Sequence, residues 1–382
     1  MKGLRPRLGI PEERIVEVDM TLNAAAIEVS ATEVQAVSIG PYKLAKGSPC
    51  FVIAEAGVNH NGSPEMAFRL VDAALGAGAQ AVKFQTFVAE QVISATAPKA
   101  AYQRETTGSG ESQLEMVKKL EFPPGVFAKI QRYCQTAGIL FLSTPFEEMS
   151  ADLLESLNVP AFKIPSGEIT NFPFLEHVAR KHRPMIVSTG MADLDEVRAA
   201  VDVIRNCGNS ELALLHCVSS YPTRPENANL LAMRTLAQEF LVPVGFSDHT
   251  LGIEVALAAT ALGANVIEKH LTLDKTLSGP DHRASLEPDE FASMVRGIRN
   301  VESALGDGRK RPVPEELDTA AVARKSLVSA RALTRGTILA AEDIAIRRPG
   351  TGLAPVMRPQ LIGRRLVRDI AEGEVFKSEM FS

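Results

Sequence analysis

The sequence predicts a (β/α)8 TIM barrel followed by a small β-rich domain, and three observations carry that expectation. Eight short apolar runs alternate with amphipathic stretches between Phe51 and Leu305, the pattern of parallel strands joined by crossover helices. Polar residues gather at the carboxyl ends of those runs, where barrel enzymes build their sites. After Gly306 the alternation stops, and a β-type half-motif recurs. An open doubly wound sheet is the competing arrangement of the same alternation.

Residues 1–46 precede the barrel. The segments Val34–Ile39 and Tyr42–Ala45 flank Gly40-Pro41 and predict a hairpin that plugs the barrel floor. The first thirty or so residues read as a poorly ordered extension, with Met20 as a possible later start. Residues 47–306 form the barrel, with strands over Phe51–Ala56, Ala81–Thr86, Ile139–Thr144, Ala161–Pro165, Pro184–Ser188, Leu212–Val218, Val244–Ser247 and Asn265–His270.

Residues 307–324, rich in charge and proline, read as a linker. In the terminal domain, 325–382, Leu333, Gly336, Ile338 and Leu339 are matched thirty-seven positions later by Ile370, Gly373, Val375 and Phe376. Two half-motifs imply a pseudo-symmetric module, too small to have more than a marginal core alone.

Composition narrows the function classes. With 45% hydrophobic and 23% charged residues the chain is globular. A net charge of -5 offers neither nucleic acid nor an anionic membrane a partner. No apolar run spans a bilayer and the N-terminus lacks a signal-peptide succession, so the cytoplasm is expected. Cys50, Cys134, Cys207 and Cys217 form no CxxC pair and read as reduced and structural.

Strands buried on both faces tolerate charge only where it points into the lumen near the mouth. By period two, Lys83 and Gln85 share one face, as do Glu268 and His270, while Phe84 and Ile267 face the helices. Glu55 ends the first run and Lys163 sits in the fourth. Lys83 and Lys163, with the hydroxyls of Thr144, Ser166 and Ser247, suit an anionic ligand bearing phosphate and carboxylate. Neutralisation by Glu55 and Glu168 is the competing reading for either lysine alone. His249 and His270, at adjacent strand ends beside Glu268 and Asp281, can hold one divalent metal, against the plainer reading of two hydrogen-bonded core histidines.

Five strings, in order, then carry a resemblance: Ile53-Ala54-Glu55-Ala56-Gly57-Val58-Asn59-His60-Asn61-Gly62, Val82-Lys83-Phe84-Gln85-Thr86, Phe162-Lys163-Ile164-Pro165-Ser166-Gly167-Glu168, Ser247-Asp248-His249-Thr250 and Gly279-Pro280-Asp281-His282. They resemble the sialic acid synthase family, and the terminal module resembles its antifreeze-like (SAF) domain. The resemblance implies condensation of phosphoenolpyruvate with an N-acetylated sugar, N-acetylmannosamine first. It implies Mn2+ or Mg2+ on His249 and His270, and phosphoenolpyruvate held by Lys83, Thr144, Lys163, Ser166, Ser219 and Ser247. The sugar would meet Glu55, Asn59, Gln85, Tyr221 and Asp281. Arg348 would reach the N-acyl group from the cap of the other protomer in a homodimer. Glu55 or Glu168 would stabilise the cation or deprotonate water, with Glu55 preferred.

Where bacterial sialate enzymes often carry asparagine, this chain reads Ser219 before Ser220-Tyr221-Pro222. That leaves the acceptor open between N-acetylmannosamine and the di-N-acetylated sugars of legionaminate or pseudaminate synthases. A pyruvate lyase using Lys163 as a Schiff base and a non-catalytic carbohydrate-binding protein are the rivals of other classes.

Overall fold

The computed structural model describes residues 34–382. The expected N-terminal extension lies outside them. The chain divides into two compact units, 1–305 and 306–382.

In the first unit, β1 (Val37–Ile39) and β2 (Tyr42–Leu44) form an antiparallel hairpin. Eight parallel strands follow: β3 (Phe51–Gly57), β4 (Ala81–Thr86), β5 (Leu140–Pro145), β6 (Phe162–Ile164), β7 (Met185–Ser188), β8 (Leu212–Cys217), β9 (Val244–Asp248) and β10 (Val266–His270). The hydrogen-bonded order is β5-β4-β3-β10-β9-β8-β7-β6, and β5 lies beside β6, so the sheet curls into a nearly closed barrel. Every expected strand is present within two residues of its expected ends. The open-sheet alternative fails because the first barrel strand pairs with the last and the sheet's two ends meet.

The pleat sorts side chains as expected. Val52, Val82, Phe84, Phe162, Phe246 and Ile267 point outward into the layer shared with the helices. Those helices turn one apolar stripe inward. The helix Leu194–Asn206 does so with Val197, Ala200, Val201 and Ile204, and Asp193 caps its start by accepting from the Glu196 N–H. Inward, Phe51, Ile53, Ala81, Leu142, Ala161, Ile186, Ala213, Leu215 and Val266 pack on Val37, Ile39 and Leu44 of the hairpin, which thus plugs the floor. Gly245 belongs to this interior: a Cβ there would fall 2.3 Å from the Val266 carbonyl oxygen, a distance no side chain tolerates.

In the second unit, β11 (Ser326–Ser329) and β12 (Ile344–Arg347) pair antiparallel. The residues expected as a linker include a short helix, Leu317–Ala323. The half-motifs meet each other, with Leu333 bridging Ile370. Gly336 and Gly373 hold matching positive φ angles of 86° and 74°, and Leu339 and Phe376 enter one small core. Ile338 breaks the symmetry by standing exposed. No helix among the described residues is long and apolar enough to cross a membrane.

Candidate active site

One pleat period above the apolar floor, the same inward face becomes charged. Glu55 follows Phe51 and Ile53 on β3, Lys83 follows Ala81 on β4, and Glu268 follows Val266 on β10. These side chains line a cavity of about 470 Å3 at the carboxyl ends of the strands, together with Gln85, Thr144, Lys163, Ser166, Ser219, Tyr221, Ser247, His249, His270 and Asp281.

The charges alternate in sign. Lys83 Nζ lies 2.6 Å from Glu55 and 3.7 Å from Glu268, and Lys163 Nζ lies 3.5 Å from Glu268. Glu268 therefore sits between two ammonium groups. Burial alone would raise its pKa, but Lys163 and Lys83 outweigh burial and hold it down at about 2. Glu55 is raised, because burial and Glu268 prevail over Lys83. The hydroxyls complete the shell: Lys83 donates to Thr144 Oγ1 at 2.9 Å and Lys163 to Ser188 Oγ at 2.7 Å. Ser247 donates to Glu268 at 3.0 Å, and Ser166 Oγ accepts from the Gly190 N–H at 3.0 Å. A Cβ on Gly190 would stand 2.4 Å from Ser219 Oγ and 2.8 Å from Ser166 Oγ, so this hydroxyl seat needs glycine beside it.

His249 and His270 lie with ring centroids 5.5 Å apart, and Tyr221 packs on both. His249 Nδ1 donates to the Val218 carbonyl at 2.8 Å, which leaves Nε2 with its lone pair. Burial pushes both imidazoles down, His270 well below the ordinary range, so both are neutral near pH 7. His270 Nδ1 is buried without a hydrogen-bond partner. Two neutral imidazoles with open nitrogens facing a polar cavity fit a divalent cation whose remaining ligands are water and substrate oxygens. Among the described residues no third His, Cys, Asp or Glu joins them as a preformed cluster. Asp281 Oδ2 stands 4.0 Å from His270 Nδ1, and burial together with Glu55 raises the Asp281 pKa to about 7.

Two residues expected in the cavity wall lie outside it. Glu168 turns along the surface and accepts from Asn171 Nδ2 at 2.7 Å, because the short turn after β6 directs it away from the lumen. Asn59 is buried behind the wall, where its amide donates to the Leu271 carbonyl and to Ser285 Oγ, both at 2.9 Å. Arg348 is an exposed residue of the second unit.

Others lining the cavity were given no role on sequence grounds: Glu268, Ser188, Cys217 and the β4–β5 connection. Glu268 and Ser188 were within reach, since the inward alternation points to both. The connection brings Val92, Ile93, Tyr102, Met116 and Leu120 as an apolar wall, with Tyr102 against Tyr221 at 5.2 Å. Its unusual length, over fifty residues between strands, was the available signal.

The NeuB family profile matches residues 70–310, and the SAF domain profile matches residues 324–382. The chain belongs to the NeuB family. It is 48% identical over 328 residues to the N,N'-diacetyllegionaminic acid synthase of Legionella pneumophila, covering 85% of this chain and 92% of that one. It is 36% identical to the human N-acetylneuraminate-9-phosphate synthase, covering 87% and 92%. The crystal structure of the N-acetylneuraminic acid synthetase of Leptospira borgpetersenii superposes with a TM-score of 0.67 at 36% identity, over 75% of this chain and 95% of that one. These three relatives are named as synthases of sialic-acid-type sugar acids.

Proposed function

We propose that this chain condenses phosphoenolpyruvate with the open-chain form of an N-acetylated mannose-type sugar, giving a nine-carbon 2-keto acid and phosphate. The observation that carries the reading is Glu268 held between Lys83 and Lys163 at a NeuB-family barrel mouth. Lys83 and Lys163 bring two buried ammonium donors to one place, a seat for a small anion carrying both phosphate and carboxylate. Thr144, Ser166, Ser219 and Ser247 add donors around it.

In the reaction, C3 of phosphoenolpyruvate bonds to the aldehyde carbon and the aldehyde oxygen gains a proton. The cation left at C2 takes up water, which loses its protons, and the C2–O bond to phosphate breaks to leave the ketone. Glu55 serves best as acceptor of the water proton, because burial raises its basicity and Gln85 Nε2 steadies it at 3.2 Å. The fixed dipoles of the hydroxyl shell hold the anionic ends without reorganising. Gln85, Tyr221 and Asp281 line the remaining space for the sugar. Bound at His249 and His270, manganese or magnesium supplies Lewis-acid polarisation of the aldehyde. The chain works as a homodimer in this reading, with Arg348 meeting the N-acyl group in a second copy. The exposure of Met191 and Leu251 after β7 and β9 supports a partner surface over the mouth.

N-acetylmannosamine is the first acceptor to test. A di-N-acetylated deoxy sugar is the second, favoured by the 48% and 44% identities to N,N'-diacetyllegionaminic acid synthases and by the apolar β4–β5 wall, which suits extra methyl groups. The test is phosphate release from phosphoenolpyruvate with each sugar, with and without divalent metal. Sugar-dependent release supports the proposal. No release with any sugar overturns it, as does borohydride trapping of pyruvate on Lys163.

A further inference from the structure

Asp281 is delivered to the cavity by a loop, Gly279–Ser285, that has no regular structure beyond a single 3-10 turn. Such a segment would ordinarily sample many positions, yet this one is held at three points by side chains that never reach the cavity. Asn61, in the loop after β3, donates through Nδ2 to the Ser278 carbonyl at 2.9 Å. Its Oδ1 lies 3.1 Å from His282 Nε2, and His282 Nδ1 lies 2.7 Å from Thr272 Oγ1. Ser285 Oγ donates to the Asp281 carbonyl at 2.7 Å while accepting from Asn59 Nδ2 at 2.9 Å.

We infer that Asn59, Asn61, His282 and Ser285 form a clasp that positions Asp281 for the acceptor sugar by locking the loop after β10 to the loop after β3. The inference rests on the proposed function for its substrate.

The hydrogen-bond directions are mutually consistent. Asn61 Nδ2 already donates to a carbonyl, so Oδ1 is the acceptor and His282 Nε2 carries the proton. The single Thr272 hydroxyl proton has two acceptors in reach, the Asp274 carbonyl at 3.1 Å and His282 Nδ1 at 2.7 Å; given to Nδ1, the shorter contact, it completes an arrangement open only to the neutral imidazole. His282 is fully buried, which favours that form. Gly279 is part of the device: a Cβ there would press within 2.9 Å of both His282 Nε2 and Asn61 Oδ1, so a side chain would pry the bond apart.

The loop after β3 is itself a firm anchor. His60 stacks on Phe122 at 3.9 Å, and Gly62 passes so close to the Lys119 carbonyl oxygen that a Cβ would lie 2.5 Å from it. The pair Asn59 and Asn61 thus reads as a structural bracket around the floor of the sugar site, with Asn59 acting through Ser285 on Asp281. A shift of a positioning group by about 1 Å is enough to cost on the order of a hundredfold in rate, so the clasp bears on turnover without touching substrate.

The test uses His282→Ala, Ser285→Ala and His282→Gln in the full chain. Ser285→Ala removes a single oxygen and serves if His282→Ala folds poorly. The expected result is a rise of about tenfold or more in the KM for the sugar, with the KM for phosphoenolpyruvate changed less than about twofold. His282→Gln, which keeps one donor and one acceptor, should recover most of the loss. Hydrogen exchange of the peptide covering 278–286 should quicken in both alanine variants while the barrel strands keep their protection. An unchanged sugar KM, equal rises in both KM values, or unchanged exchange would overturn the clasp. Absence of phosphate release by the unaltered protein would instead refute the proposed function, and the exchange measurement would still decide whether the loop is clasped.

Discussion

The floor and the mouth of this barrel are built on the same strands and the same face, one pleat period apart. At the floor, Ile186, Leu215 and Val266 interlock with the hairpin residues Val37, Ile39 and Leu44. Two residues further along, β7 carries Ser188, β8 carries Cys217 and β10 carries Glu268. The floor removes apolar surface from water and supplies stability. The mouth buries four charges beside each other, which contributes little stability and is retained for chemistry. Stability and function should therefore be separable by substitution along a single strand.

The largest effect is expected at the mouth. Lys163→Met should lower turnover by at least about a hundredfold, measured as phosphate release at saturating substrates. Treatment with a chelator, or His249→Ala together with His270→Ala, should likewise abolish release, with recovery on adding Mn2+ or Mg2+ only in the chelated protein. At the floor the opposite holds. Leu215 is fully buried, so Leu215→Ala should reduce stability by about 2–5 kcal/mol in denaturant unfolding while leaving both KM values near normal.

A subtler expectation concerns Asp281. Its folded pKa, about 7, lies above the value of about 3.9 for a free aspartate, so the folded protein binds this proton more tightly than the unfolded chain. The stability from that proton is fully present below about pH 4 and is lost as pH rises to about 7. Asp281→Asn carries no such loss. In chelated protein the variant should unfold at a higher temperature than the wild type at pH 7 and at a similar one near pH 4. The smallest effect is expected from Glu168→Gln, which should stay within about twofold of normal turnover, since Glu168 faces Asn171 and lies outside the cavity wall.

Much of this contrast was legible in the sequence. The alternation in Val82-Lys83-Phe84-Gln85 and Ile267-Glu268-Lys269-His270 assigns inward and outward faces, because a strand offers only two. The hairpin followed from turn residues and the pseudo-symmetric module from repetition, while the pairing of Leu333 with Ile370 is visible only in the folded chain. The residues whose direction escaped lie in loops, where period carries no information. Asn59 and Glu168 stand in motifs shared with the cavity residues, yet local backbone directs one behind the wall and the other to the surface. Lys269 shows the same limit on a strand: it faces outward yet is fully buried, made tolerable by Asp248 at 2.7 Å, a partner that only the folded chain identifies.

The most direct test of the central claim follows phosphoenolpyruvate labelled with 18O in its bridging oxygen, incubated with the purified protein, Mn2+ and the accepted sugar, by mass spectrometry of both products. An unlabelled nine-carbon keto acid with the label in phosphate is the expected result. Label retained in the keto acid, or pyruvate in place of a nine-carbon product, would contradict the account.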